Sequence, residues 1–262
     1  MSLEKWVGKW GKLPSAIYAH QMNKGAPRVV VSIWDAENIS PQKDRERFGI
    51  PSVNVRELHP APFIPTQVLC CLLWYGGDAK VVADVMCGIG TTLAVARRLG
   101  KVVVGVDIEP TFVKLAKRLG DVVLGDARFL PFKNGAFDYV VFSPPYWDVR
   151  SYLSKGNIGN LRSYSAYLGA MRLVLGEVRR VLKSGRLVTV IVKDPKRGGV
   201  WIPLHVDITN LAREVGLVPY DHVVWKLNFV DHRVFHLWRK LQAKGDRRTF
   251  TVHEHILTFE KS

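Results

Sequence analysis

Between residues 80 and 192, short β-branched runs alternate with segments whose apolar positions recur at helical spacing. KVVADV (80–85), KVVVGVD (101–107), DVVLGD (121–126), FDYVVFS (137–143) and RLVTVIV (186–192) read as strands. Helices are expected between them at TTLAVARRLG (91–100), PTFVKLAKRLG (110–120) and SYSAYLGAMRLVLGEVRRVL (163–182). Pro110 suits the first turn of its helix and Gly120 its close. Strands apolar on both sides, separated by amphipathic helices, predict a parallel sheet covered on both faces.

The two ends read differently. Residues 1–50 look irregular, with Trp6, Trp10, Tyr18 and Trp34 among scattered lysines and one strand at RVVVSIW (28–34). A proline-rich crossing loop (51–64) leads into a short buried helix, TQVLCCLLWYGG (66–77). After residue 192, a helix (205–215) precedes strands YDHVVWKLNF (220–229) and TVHEHILTFE (251–260). Two strands in succession predict an antiparallel hairpin at one sheet edge. The expectation is one doubly wound α/β domain over 59–262, interrupted by a basic insertion (229–250) and preceded by an N-terminal extension (1–58).

Composition sharpens this picture. Lys and Arg outnumber Asp and Glu by 38 to 23, giving a net charge of +15. An excess this large suits phosphate contact, although a basic surface kept for solubility is the plainer account. No basic amphipathic helix points to a membrane surface. Cys70 and Cys71 are neighbours and Cys87 stands apart, so no disulfide framework or zinc spacing is read, and no metal is expected. His232, His236, His253 and His255 show no ligand spacing, and His253 and His255, alternating on a strand, read as structural. MSLEKWVGKWGK carries no apolar leader, and a soluble, cytoplasmic protein is expected.

The first strand end carries candidate chemistry. In DVMCGIGTT (84–92), Gly88 and Gly90 let the backbone approach a ligand where strand turns into helix, and Thr91 and Thr92 start that helix. Asp107 ends the next strand, where a carboxylate can grip ribose hydroxyls. Asp126 ends the third, where it can accept from an adenine amine. Open α/β sheets bind ligands at these carboxyl ends. Asp84 would repel a pyrophosphate but suits a cationic ligand, which favours S-adenosylmethionine over a dinucleotide.

The next strand leaves through Ser143-Pro144-Pro145-Tyr146-Trp147. SPPYW resembles the corresponding turn of nucleic-acid amino-methyltransferases, which implies a substrate whose exocyclic amine is a poor nucleophile because its lone pair is delocalised into the ring. The Ser143 hydroxyl and the Pro144 carbonyl offer acceptors that draw its N–H bonds out of plane. The prolines hold that carbonyl and forbid a helix that would consume it. Tyr146 offers a flat face for an extruded base, and Trp147 a second side or the path inward. A proline turn with two aromatics in the core is the alternative. Lys193 and Asp194, ending the strand after, suit either a base contact or a local ion pair. Asp148 and Tyr152 suit substrate contact or a plain surface loop. RVFHLWRKLQAKGDRR (233–248) sets six basic residues, Arg239, Lys240, Arg247 and Arg248 among them, around Phe235 and Trp238. That segment suits phosphate contact and stacking, or a solvated helix.

DVMCGIGTT, GVDIEP, GDARFLPF and SPPYW together resemble the class I S-adenosylmethionine-dependent amino-methyltransferases of nucleic-acid bases. The resemblance spans roughly residues 60 to 194 and returns in TVHEHILTFEKS at the end. It implies a seven-stranded, mostly parallel Rossmann-like sheet with an antiparallel last strand. It adds Met86, Cys87, Ile108 and Ala127 to the cofactor contacts. SPPYWDVRSY is closest to the DNA cytosine-N4 enzymes, whereas Met-Cys-Gly is similar to RNA guanine-N2 methyltransferases. Cytosine N4 in DNA is therefore the expected target, with ribosomal RNA cytosine N4 or RNA guanine N2 as the alternative. A small-molecule methyltransferase would explain the glycine loop but neither SPPYW nor the charge. A catalytically dead binding module would predict damage to these motifs, and none is seen.

Overall fold

The computed structural model describes residues 33–35, 41–50, 63–147, 152–226 and 253–262. Five parallel strands form the centre: β2 (Val81–Asp84), β3 (Val102–Asp107), β4 (Asp121–Leu124), β5 (Phe137–Phe142) and β6 (Leu182–Val192). β9 (Leu217–Lys226) and β10 (His253–Lys261) complete the expected seven, and β1 (Ile33–Asp35) adds a short edge. The order is β1-β9-β10-β6-β5-β2-β3-β4. β10 runs antiparallel to both β6 and β9, and β1 lies parallel to β9. The expected hairpin pairing is present, but β1 lies outside it, so β9 is an inner strand.

Helices cover both faces. α1 (Pro41–Arg47), α2 (Pro65–Trp74), α3 (Thr91–Arg98) and α4 (Pro110–Ala116) precede β4, while α5 (Tyr164–Val181) and α6 (Leu204–Glu214) follow β5. One core gathers Leu69, Leu93, Phe112 and Trp225, and the other Phe142, Met171, Leu175 and Ile208. β5 is buried at every position, which is why its sequence shows no alternation.

Local chemistry explains the boundaries. Ser163 caps α5 by accepting from Ala166 N at 3.2 Å. α2 has no such residue of its own; Asp44 of α1 accepts from Thr66 N and Thr66 Oγ1, both at 2.8 Å. The described part of residues 1–58 is thus tied to the sheet domain. α1 is helical where the sequence looks irregular. β6 starts at Leu182, immediately after α5, earlier than the apolar run at 186 suggested. The small hairpin β7 (Lys196–Arg197) and β8 (Val200–Trp201) was also unread, although Gly198 and Gly199 have φ of 55° and 79°. Paired positive φ values are what a tight hairpin turn demands.

Asp138 locks β5 to β2. Its carboxylate accepts from Lys80 N at 2.9 Å, Val81 N at 2.8 Å and Lys183 Nζ at 2.6 Å. The Lys183 bond holds its pKa at about 2. Because the folded pKa lies below the unfolded one, this stabilisation is present above roughly pH 4 and is lost as pH falls toward 2. Asp138→Ala is expected to cost about 1–3 kcal/mol at pH 7. Urea titration should show the gap from the parent closing at low pH; a constant gap would remove the carboxylate's charge from the account.

Candidate cofactor and amine site

The carboxyl ends of β2, β3, β4 and β5 open into a cleft of about 840 Å³, mouth included. Met86, Cys87, Thr91, Asp107, Ile108, Asp126, Ala127, Ser143, Pro144, Pro145 and Tyr146 line it, with Phe63, Phe112 and the segment from Tyr152 to Ile158. The glycine loop and the SPPY turn therefore share one space, as the switch between β2 and β5 in strand order requires.

The loop is held from behind. Asp84 Oδ1 accepts from Met86 N at 3.1 Å and Oδ2 from Thr92 Oγ1 at 2.5 Å. Both residues are wholly buried, and neither lines the cleft. Burial raises the Asp84 pKa to about 7. This corrects the expectation that Asp84 presents a fixed charge to the ligand: the first turn of α3 covers it, and it fastens strand end to helix start. Gly88 (φ 51°) donates its N–H to Asp107 Oδ2 at 2.7 Å. Gly90 (φ 90°) needs its glycine for a different reason than ligand approach, since a Cβ there would lie 3.0 Å from Ala116 Cβ on α4.

Asp107 also accepts from Glu109 N at 2.9 Å, and burial raises its pKa to about 6. Its carboxylate is thereby oriented at the cleft wall. Asp126 is held by Arg128, whose Nε donates at 3.0 Å and Nη2 at 2.5 Å. Its acid is already paired, so its availability to an adenine amine is narrower than the sequence implied. At the SPPY turn, burial pushes the Tyr146 phenol far above its usual range; the Glu254 carboxylate adds to that push and a hydrogen bond with Ser143 opposes it.

Two family models match the chain: Methyltransferase domain over residues 82–152, and DNA methylase over residues 137–262. Together the two matches span residues 82–262 and make the chain similar to the S-adenosylmethionine-dependent methyltransferases. S-adenosylmethionine is the cofactor of this family and of this chain. The type II methyltransferase M.SmaI of Serratia marcescens is 28% identical over 161 residues, which cover 53% of this chain and 55% of that one. A provisionally named protein N5-glutamine methyltransferase of Methanocaldococcus jannaschii is 37% identical over 98 residues, 34% of this chain and 50% of that one. The chain thus spans about half the length of these curated relatives. The solved structure of the cyclase SpnF has a TM-score of 0.52 at 17% identity, covering 77% of this chain and 84% of that one, a likeness of fold alone.

Several expected substrate contacts lie elsewhere. Trp147 does not line the cleft; its indole N–H donates to Leu161 O at 2.8 Å and its ring packs on Tyr164. Lys193 sits beside Glu254, not in an ion pair with Asp194, and its pKa is lowered by burial. Asp194 instead bonds His205. Asp148, Arg239, Lys240, Arg247, Arg248, Trp6 and Trp10 lie outside the described residues. No described helix is long and apolar enough to cross a membrane.

Two residues escaped the sequence reading. Glu109, inside the motif GVDIEP, is buried and accepts from Ser154 N, Ser154 Oγ and Asn157 Nδ2 at 3.0, 2.7 and 3.0 Å. It fastens the segment that forms the far wall of the cleft. Glu254 accepts from Gln67 Nε2 at 2.8 Å beside the SPPY turn. The acid at the N-cap position of α4 was the available signal for the former; nothing local to β10 announced the latter.

Proposed function

We propose that the chain methylates an exocyclic amine of a nucleic-acid base, cytosine N4 in DNA being the target. The observation that carries this reading is the shared cleft: Ser143, Pro144 and Tyr146 face the same space as the glycine loop and Asp107. The cleft fits the cofactor, offering an oriented carboxylate for ribose hydroxyls and the apolar Ile108, Ala127 and Phe112 against an adenine. When bound, the cofactor supplies an electrophilic methyl group on a sulfonium. Ser143 and the Pro144 carbonyl orient the amine's N–H bonds so that its lone pair becomes localised, and Tyr146 stacks on the extruded base. The proton released from the amine passes to solvent. The basic excess, and the insertion that carries Arg239, Lys240, Arg247 and Arg248, serve the phosphates.

The DNA methylase match over residues 137–262 and the kinship with M.SmaI support DNA. RNA is the alternative polymer: guanine N2, to whose methyltransferases the Met-Cys-Gly loop is similar, or cytosine N4. The M. jannaschii relative supports a second reading, transfer to the side-chain amide of a protein glutamine. Incubation with methyl-labelled cofactor and separate DNA, ribosomal RNA, transfer RNA and protein pools, followed by digestion and mass spectrometry, separates these outcomes. Label on cytosine N4 in DNA is expected; label confined to protein would overturn the proposal.

Asp107→Ala is expected to weaken cofactor binding by about 1.5–3 kcal/mol, the usual cost of losing hydrogen bonds to a charged group. Calorimetry on a folded variant checks it, and unchanged affinity would remove Asp107 from the ribose contact.

A further inference from the structure

Away from the glycine loop, four side chains with metal-binding chemistry meet where β6, α6, β9 and β10 come together. Asp194 lies just past the end of β6, His205 in the first turn of α6, His222 on β9 and His255 on β10. The ligating atoms of Asp194, His205 and His255 all lie within 4.8 Å of one another. His205 Nδ1 is 2.9 and 2.8 Å from the two Asp194 oxygens, and Asp194 Oδ1 also accepts from His205 N at 3.1 Å. His255 Nδ1 is 3.0 Å from His222 Nε2. The His205 and His255 rings are stacked at 4.0 Å, so both present their edges to the same carboxylate.

The decisive atom is His255 Nε2. The residue is 6% exposed, and this nitrogen has no hydrogen-bond partner although it points toward Asp194 Oδ2, 3.7 Å away. Both directions of the His222–His255 bond leave it unsatisfied. If His255 Nδ1 donates to His222, Nε2 carries a lone pair facing a carboxylate, which repels it. If Nδ1 accepts, the Nε2 hydrogen aims at an oxygen beyond hydrogen-bond reach. A buried polar atom in that position costs free energy in either tautomer. A divalent cation drawn to the carboxylate and both imidazoles removes the conflict. The His222 contact then fixes the tautomer that leaves Nε2 free to ligate, as an outer hydrogen bond does for metal-bound histidines.

We propose that Asp194, His205 and His255 form a structural site for a divalent transition-metal ion, zinc by ligand type. Two imidazoles and one carboxylate suit zinc and exclude the oxygen-seeking magnesium and calcium. The ion ties β6, α6 and β10 together: Lys193 precedes Asp194, and Glu254, whose charge acts on Tyr146, precedes His255. No linear spacing announces the set, because its three members come from three elements. The expectation of no metal rested on spacing alone.

The full chain, stripped with chelator and dialysed, is titrated with Zn²⁺, and metal content is read by mass spectrometry. One zinc per chain is expected, with a higher thermal midpoint. Co²⁺ should give the visible d–d absorption of a low-coordinate nitrogen-oxygen site, a readout on the unaltered protein. His255→Ala and Asp194→Asn should each weaken zinc binding by about 100-fold or more. His253→Ala, whose ring touches His255 edge-on but contributes no ligand, should retain it. Failure of the unaltered chain to bind Zn²⁺, equal binding of Mg²⁺, or full retention of zinc in His255→Ala would each overturn the assignment.

Discussion

Ser143→Ala is expected to lower the turnover number by about 10²-fold or more while leaving cofactor affinity near that of the parent. The size follows from removing one oriented hydrogen-bonding group at a reacting centre. Its bond to the amine strengthens as the nitrogen rehybridises, so the loss falls on the transition state more than on the bound substrate. Tyr146→Ala should fail differently, losing about 1–3 kcal/mol of base stacking and so raising KM as well as lowering kcat. Pro144→Ala should be milder, because the carbonyl survives and only its rigidity suffers. Steady-state kinetics on one nucleic-acid substrate, with calorimetry for the cofactor, distinguishes the three. Full activity of Tyr146→Ala would sink the stacking role, and full activity of Ser143→Ala the orientation of the amine.

Why the SPPY turn was legible from sequence while its surroundings were not is a matter of range. A βα rhythm is local: β-branched runs and helical periods lie within one segment, so β2 to β6 and their helices were placed to within a few residues. The glycine loop and Asp107 were equally local, since strand ends converge by topology once the sheet is parallel. The role of Asp84 was misread because its burial depends on α3 folding back over it. The packing of Trp147 could not be chosen from sequence because Leu161, its hydrogen-bond partner, lies 14 residues on with no apolar periodicity between them. The partners of Asp194, Glu109 and Glu254 lie 11, 45 and 187 residues away. Charge and spacing along the chain carry no information at that range; only the packed sheet does.

β1 teaches the same lesson at the sheet's edge. Trp34 ends the run RVVVSIW (28–34), legible as a strand, but nothing in that run said which strand it would pair with. In the fold it is buried, stacked on Tyr75 at 6.0 Å and edge-on to Trp225 at 6.4 Å. Its strand pairs with β9, a partner some 190 positions later. That parallel pairing is specified by apolar burial, which the strand's own sequence does not advertise.

The wall facing the glycine loop leads to the second large effect. Residues 152–158 supply Tyr152, Gly156, Asn157 and Ile158 to the cleft, yet the segment holds no helix or strand apart from a single 3-10 turn, Ile158–Asn160. Arg128 Nη2 reaches Gly156 O at 3.0 Å from the exposed side. The buried tether is Glu109, whose two oxygens take Ser154 N, Ser154 Oγ and Asn157 Nδ2. Glu109→Ala leaves Ser154 N and the buried Asn157 Nδ2 without this acceptor, and Ser154 Oγ with only Ile108 O at 3.3 Å. Bonds to a charged acceptor contribute about 1.5–3 kcal/mol each and are not additive, so a total on the order of 3–5 kcal/mol is expected. Part of it should appear as global destabilisation, and part as local opening of the wall. The specific signature is a cofactor affinity reduced at least about tenfold, with faster hydrogen exchange confined to 152–160. Glu109→Gln, which keeps one acceptor oxygen, should recover a large part of both. Global unfolding with no excess exchange in that segment would make Glu109 an ordinary core acid. An unchanged cofactor affinity with the wall open would show that these residues line the cleft without gripping its ligand.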